Sequence, residues 1–351
     1  MKRKEWLLLL AALIFFAGAA YGLMTYRANQ EAAPVTENVA VAERPSTQKV
    51  ADGPYVRLLI TRDFGANTML QQVVPLEEND TVMDVLKRHG GQVETAYGGG
   101  FVQSINGLAS AYTPGNASSK KLDWFYSVNG ITADIGAAEY PLQSGDVVWW
   151  DYHDWSYAVS TPAQIGAFPR MFTATVPGNE SELLIMAAPG YETQARQLAD
   201  ALAPALKQAP TVTNWNEQKL QEEKSLILIG DKDTLGDSPF LQTLWREKAS
   251  FGLFAELNQK GIQLFDEQGN KTKSYTAEEA GLLLATVHPE SRLPLLIVAG
   301  NGEKGVSLGI DTLLAKSAEL AGLPVQGYFG LLLQGEEKLR LPGQEASGDQ
   351  P

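Results

Sequence analysis

Gly99-Gly100-Phe101-Val102-Gln103-Ser104-Ile105-Asn106-Gly107-Leu108, Trp124-Phe125-Tyr126-Ser127-Val128-Asn129-Gly130 and Tyr140-Pro141-Leu142-Gln143-Ser144-Gly145-Asp146-Val147-Val148-Trp149-Trp150 decide the fold of the first half of this chain. Asn129-Gly130 between apolar strand formers asks for a two-residue type I′ hairpin, because both residues tolerate positive φ. Ser144-Gly145-Asp146 is a second tight turn, and it feeds the run 147–152. That run puts Val148, Trp150 and Tyr152 on one face and Val147, Trp149 and Asp151 on the other. The direct reading is a small β unit.

Upstream of these phrases, Val56, Leu58 and Ile60 alternate along a strand at 55–61, Phe64-Gly65-Ala66-Asn67 turns it, and 69–75 returns. Asn79-Asp80-Thr81 then caps a helix. Thr81 and Asp84 fit a capping pattern, Val82, Val85, Leu86 and His89 share a face, and Gly90 ends it. The predicted order is a hairpin, one helix across it, then further strands. Val82, Val85 and Leu86 are the expected core.

Residues 55–155 resemble the β-grasp domain at the C-terminus of transcobalamin and intrinsic factor. They are more closely similar to its bacterial relatives, a family of unassigned function found in surface proteins. The resemblance rests on Phe101 to Gly107, on the Trp124, Tyr126 and Asn129-Gly130 hairpin, and on Tyr140 with Gly145, Asp146 and Val148. It covers less than a third of the chain. Transcobalamin-like proteins use this domain as one side of a clamp around cobalamin, so the resemblance implies a corrinoid or a similar flat, polar-edged molecule as a bound ligand. Those carriers close the clamp with a large helical domain, and no comparable helical array follows here.

A connector over 158–179, punctuated by Pro162, Gly166, Pro169 and Pro177, marks a domain boundary. Beyond it the rhythm becomes alternating strands and helices. Strands are predicted at 183–187, 225–229, 261–265, 295–299 and 327–333, and helices at 193–207, 240–249, 276–287 and 305–321. Short apolar strands without alternation, separated by helices, indicate a sheet buried on both faces. The expected fold class is therefore an α+β β-grasp domain at 54–157 followed by an α/β domain with a mostly parallel sheet at 180–341. A polar tail over 342–351 follows.

Lys2-Arg3-Lys4 precede an uncharged apolar run at 6–24, about 30 Å as a helix and enough to cross a bilayer. Positive residues before the run place the N-terminus in the cytoplasm and the rest outside. Residues 1–26 thus read as an N-terminal transmembrane helix acting as signal anchor, with Ala17-Gly18-Ala19 offering the alternative of a cleaved signal peptide and a secreted protein. Residues 27–53, with no period and no aromatic residue, read as a flexible stalk. The expected location is the cell membrane, single-pass, with the domains outside the cytoplasm. A formal charge of −13 argues against a nucleic-acid partner. The absence of cysteine removes disulfides, thiol catalysis and thiolate metal sites.

Gly300-Asn301-Gly302-Glu303-Lys304-Gly305 spells the dinucleotide fingerprint, but no acid ends the following strand, so it reads as a glycine-rich strand-to-helix turn. Gly305-Val306-Ser307-Leu308-Gly309 spells a nucleophile elbow, yet Ser307 falls inside the helix and no histidine follows His288. His89, His153 and His288 lie in different elements. Asp151, His153 and Asp154 offer at most a loose chelate, and strand-end polar residues facing water are the plainer reading. No catalytic residue, metal site or cofactor is nominated, and the chain is not read as an enzyme.

Trp124, Tyr126, Trp149, Trp150, Tyr152 and Trp155 remain as the candidate ligand-binding set. Alternation prevents Trp149 and Trp150 from sharing a face. One of them is expected to face outward, Trp150 with Tyr152 being preferred. The alternative is that the connector or the C-terminal domain covers that face. The function expected is binding without turnover, with a small-molecule ligand or a cell-surface polymer as partner. Two readings compete with it. One is a structural or adhesive module contacting cell-wall glycan or a protein, and the other is an enzyme site at Gly230-Asp231 or 300–303.

Overall fold

The computed structural model describes residues 53–96, 99–112, 116, 119–173, 182–318 and 327–343. The apolar run 6–24, nearly all of the stalk and most of the polar tail lie outside them. Among the described residues no helix is long and apolar enough to cross a membrane. The chain is a mixed α/β protein, made mostly of strands arranged in sheets.

In the N-terminal lobe, β1 (Tyr55–Arg62) and β2 (Asn67–Pro75) form an antiparallel hairpin, and α1 (Val82–His89) follows. The box read from the sequence is formed: the Thr81 hydroxyl accepts from the Asp84 N–H at 3.2 Å, and Asp84 accepts from the Thr81 N–H at 3.0 Å. Val82, Met83, Val85 and Leu86 are all buried, so one stripe of the helix lies on the sheet. Next come β3 (Val93–Ala96), β4 (Phe101–Ile105) and β5 (Leu108–Ala109), a small antiparallel sheet of their own. β6 (Leu122–Val128), β7 (Ile131–Thr132) and β8 (Val147–Asp154) complete the main sheet, in the order β2-β1-β8-β6-β7. Asn129 and Gly130 sit at φ 55° and 81°, as a type I′ turn requires, and Val128 faces Ile131 across it. β8 lies parallel to β1 and antiparallel to β6, so it is the central strand.

The C-terminal lobe contains β9 (Leu183–Ala187), α3 (Glu192–Leu202, following the one-turn α2 at Arg170–Thr173), β10 (Thr211–Asn214), β11 (Ser225–Asp231), α4 (Lys232–Leu235) and α5 (Pro239–Arg246). These are followed by β12 (Ala255–Asn258), β13 (Gly261–Phe265), β14 (Lys271–Tyr275), β15 (Ala280–Val287), β16 (Pro294–Gly300), α6 (Glu303–Ala318), β17 (Gly330–Gln334) and β18 (Glu337–Leu341). The seven-stranded sheet runs β10-β9-β11-β16-β15-β17-β18.

Two expectations are corrected. The sheet is not mostly parallel: the three pairings from β10 to β16 are parallel, and the three from β16 to β18 are antiparallel. The predicted helix at 276–287 is strand β15. Its Ala- and Leu-rich stretch favours helix locally, but every residue from Ala280 to Val287 is buried between β16 and β17. Tertiary burial overrides that propensity. A separate three-stranded antiparallel sheet, β12-β13-β14, was also not anticipated as a unit.

The two lobes share a core. Val56, Leu58, Ile60, Val148, Trp150 and Tyr152 turn inward to α1, while Leu59, Phe64 and Trp149 join the apolar cluster of the C-terminal lobe. The first part of the connector seals the junction. Ile131 bridges to Ala163, the Gln164 N–H donates to the Gly130 carbonyl at 2.9 Å, and the Gly166 N–H donates to the Tyr328 carbonyl at 2.8 Å. Gly65 and Gly327 meet backbone to backbone: a Cβ on Gly327 would stand 2.6 Å from the Gly65 carbonyl oxygen, and one on Gly65 would collide with the Gly327 carbonyl. The Arg340 guanidinium donates to the Gly65 carbonyl at 2.7 Å.

Candidate functional site

The six aromatic residues singled out from sequence divide into three places. Trp149 lies on the outer face of the first sheet, 2% exposed, with its ring edge-on to Phe329 at 5.1 Å. Its indole N–H donates to the Thr61 hydroxyl at 2.7 Å. Trp155 stands half-buried at the end of β8, edge-on to Tyr112 at 4.9 Å and beneath the Lys121 ammonium. Trp124, Tyr126, Trp150 and Tyr152 come together on the inner face.

The outward Trp150 expected from sequence is not found. Trp150 is 3% exposed and Trp149 2%, because the sheet carries a helix on one face and the other lobe on the opposite one. Alternation itself was read correctly, as the two indoles do point to opposite sides. A single sequence did not show that both sides are covered.

On the inner face the rings form two pairs. Trp124 and Tyr152 pack at 5.2 Å under β5, where the Trp124 N–H donates to the Leu108 carbonyl at 2.9 Å and the Tyr152 hydroxyl to the Ala109 carbonyl at 2.8 Å. Tyr126 and Trp150 pack at 5.0 Å, with Tyr140 edge-on to Tyr126 at 6.4 Å. The Tyr126 hydroxyl donates to the Ile135 carbonyl at 2.6 Å. Burial raises the Tyr126 hydroxyl well above its ordinary range and pushes that of Tyr140 up to about 12, so both stay neutral donors at physiological pH. Tyr126 and Tyr140 are half-buried, and Ile135 beside them is 43% exposed.

Three of these four polar tips have a carbonyl or ring environment that accounts for them, but Trp150 is different. Its indole N–H is buried and has no acceptor among the described residues. A buried unmade donor costs about 1–3 kcal/mol, so its persistence calls for a partner. In the loop that follows Ile135, a Cβ built on Gly136 would stand 4.0 Å from the Gly100 carbonyl oxygen, so Gly100 and Gly136 line a seam between two loops.

Polar chemistry the sequence reading missed lies on the outer face. The buried Asp151 carboxylate accepts from the Thr61 hydroxyl, from the Phe64 N–H at 3.1 Å and from the Gly65 N–H at 2.8 Å, and it meets His153 Nδ1 at 2.7 Å. His153 is stacked between Phe64 at 4.3 Å and Phe125 at 4.6 Å. Asp123, cross-strand from His153, is pushed up to about 6 by burial, against the Trp124 N–H, the Ser110 hydroxyl and the His153 ring. Asp151 and His153 therefore do not face water as read. They lock the β1–β2 turn, with Phe64 at φ 55°, into the junction of the lobes. The only cue was the Asp-x-His spacing, which puts both on one strand face.

The glycine motifs are used in packing. A Cβ on Gly300 would stand 2.5 Å from the Val306 nitrogen, and one on Gly305 would collide with the Ala280 carbonyl, so these glycines seat α6 against β15 and β16. Asn301 donates to the Tyr275 and Ala277 carbonyls at 2.8 and 2.9 Å, tying down the same turn. Ser307 lies within α6. At Gly230-Asp231, Asp231 caps α4 and accepts from the Tyr191 hydroxyl at 2.8 Å. His288 Nδ1 accepts from the Glu290 and Ser291 N–H groups at 3.2 Å, so Nε2 holds the proton and donates to the Leu220 carbonyl at 2.7 Å. Among the described residues no group of three or more His, Asp or Glu side chains is placed to hold a metal ion.

Comparison with known proteins adds the following. No curated protein matches the chain. Among solved structures, it is similar to a crystal structure of a proposed metal binding protein from Ruminococcus gnavus ATCC 29149, at 14% identity and a TM-score of 0.22, over 29% of this chain and 97% of that one. Residues 79–154, which carry α1 and the inner aromatic face, match the model of a domain of unknown function, DUF4430.

Proposed function

We propose that this chain is a membrane-anchored extracytoplasmic binding protein whose N-terminal lobe is a transcobalamin-like β-grasp domain, and that it binds a small molecule without turnover. The observation that carries the reading is the buried, unpaired N–H of Trp150 beside the half-buried rings of Tyr126 and Tyr140. A flat ligand with an acceptor on its edge, a corrinoid among them, would stack on these rings and take that hydrogen bond. It would enter through the glycine seam between Gly100 and Gly136. The anchoring rests on the charge-flanked apolar run 6–24.

The test is a tryptophan-fluorescence and visible-absorbance titration of the full chain in detergent with cobalamin and with cobinamide, repeated on Trp150→Phe. The variant keeps the ring contact and removes the N–H. Its stability is expected to stay within about 1 kcal/mol of the parent, while affinity falls about tenfold. Equal affinity in the variant would remove Trp150 from the site. Retention on isolated cell-wall material with no response to either corrinoid would favour the adhesive alternative instead.

A further inference from the structure

A second polar feature lies on the outer face, at the start of β1 and away from the aromatic wall. Arg57 points to the outer side of the sheet and is only 9% exposed. Arginine is almost never buried to that degree without a partner. Yet among the described residues its guanidinium donates to no oxygen and has no carboxylate within ion-pair distance. Its guanidinium carbon stands 5.6 Å from the centre of the Tyr55 ring. Arg170, on the one-turn helix of the connector, is half-buried and likewise unpaired among the described residues. Its two terminal nitrogens lie flat against Gly145, 3.4 Å from where a Cβ would be. The Gly145 N–H donates to the Tyr55 carbonyl at 2.7 Å, so both guanidinia meet one corner made by Tyr55 and Gly145.

Among the described residues, the carboxylate that acts on Arg170 is Asp146, and it has other partners. Asp146 accepts from the Asn129 amide and from the Gln143 N–H, each at 2.8 Å. Burial, and then the charge of Arg57, depress the Arg170 guanidinium, with Tyr55 and Asp146 opposing. Two partly desolvated cations at one corner repel each other, and the arrangement stands out in a chain of net charge −13.

We infer that Arg57 and Arg170 form a binding site for a phosphoryl group at the Tyr55–Gly145 corner. A carboxylate is satisfied by one guanidinium fork, whereas two forks from different elements match the three or four oxygens and the higher charge of a phosphoryl group. Bound there, the anion would tie the connector to the first strand.

Calorimetric and ³¹P NMR titrations of the full chain in detergent micelles test this directly. The probes are inorganic phosphate and glycerophosphoglycerol, with acetate as the carboxylate comparison and chloride at matched ionic strength as the blank. Saturable binding of either phosphoryl probe is expected. Preference for phosphate identifies a free anion or monoester, and preference for the diester identifies a headgroup or polymer source. Arg170→Gln should weaken the preferred probe by about tenfold or more, and Arg57→Lys by about three- to tenfold, because a lysine keeps the charge and loses the fork. Should Arg57→Lys fail to fold, Arg170→Gln on the connector surface carries the test alone. No binding beyond the chloride blank, undiminished affinity in Arg170→Gln, or acetate binding as tight as phosphate would each overturn the assignment.

Discussion

Asp123 shows how much a single buried polar group weighs in the N-terminal lobe. Its carboxyl has an ordinary value of 3.8 and is raised to about 6. The folded state therefore holds this proton more tightly than the unfolded chain does. The resulting penalty is absent below about 4 and complete above about 6, so this group makes the protein more stable as pH falls through that window. Asp123→Asn keeps an acceptor for the Trp124 N–H and carries no charge. It is expected to stabilise the protein by about 1–3 kcal/mol at pH 7.5 and to change little at pH 4. Urea melts of both proteins at the two values decide it, and an identical pH slope in the variant would refute the assignment. This residue was not legible beforehand. Asp123 reads as a strand-edge acid until its burial beside Ser110 and His153 is seen, and Trp149 is hidden by the opposite lobe. Trp150 was legible as an aromatic of the inner or outer face, but its lack of an acceptor depends on three-dimensional neighbours.

At the scale of elements, local chemistry carried far. The capping residues of α1, the Asn129-Gly130 turn and the alternation of β8 were each readable because they depend on contacts within a few positions. Thr81→Ala removes the hydroxyl that accepts from the Asp84 N–H and donates to the Asp84 carboxylate, the second contact being the one that holds this carboxylate below its usual range. The expected cost is about 1 kcal/mol, seen as a lower midpoint in thermal melts with unchanged native spectra. A loss near zero would mean that burial of Val82, Met83, Val85 and Leu86 alone fixes the helix. β15 marks where local reading stops. Its composition favours helix, and only its place between β16 and β17 makes it a strand. The antiparallel half of that sheet was missed for the same reason, since strand direction is set by partners far along the chain.

At the scale of the whole molecule, the two lobes share buried apolar surface through Leu59, Phe64 and Trp149. A domain boundary in the connector after residue 157 predicts that residues 53–157 fold alone. They hold the complete inner core, but isolation uncovers the outer one. The fragment is therefore expected to keep β-rich circular dichroism while melting well below the full chain, and adding the connector through residue 173 should recover part of the difference. A fragment as stable as the whole would show that the shared surface contributes nothing. The meeting of Gly65 with Gly327 carries a consequence for inheritance. A methyl group at either place occupies space already taken by the other's backbone, so neither position can drift by itself. In descendants of this architecture that retain both lobes, both sites should stay glycine, because no exchange at one removes the backbone that crowds the other, while a lineage that lost the C-terminal lobe would be released to place any turn-compatible residue at position 65.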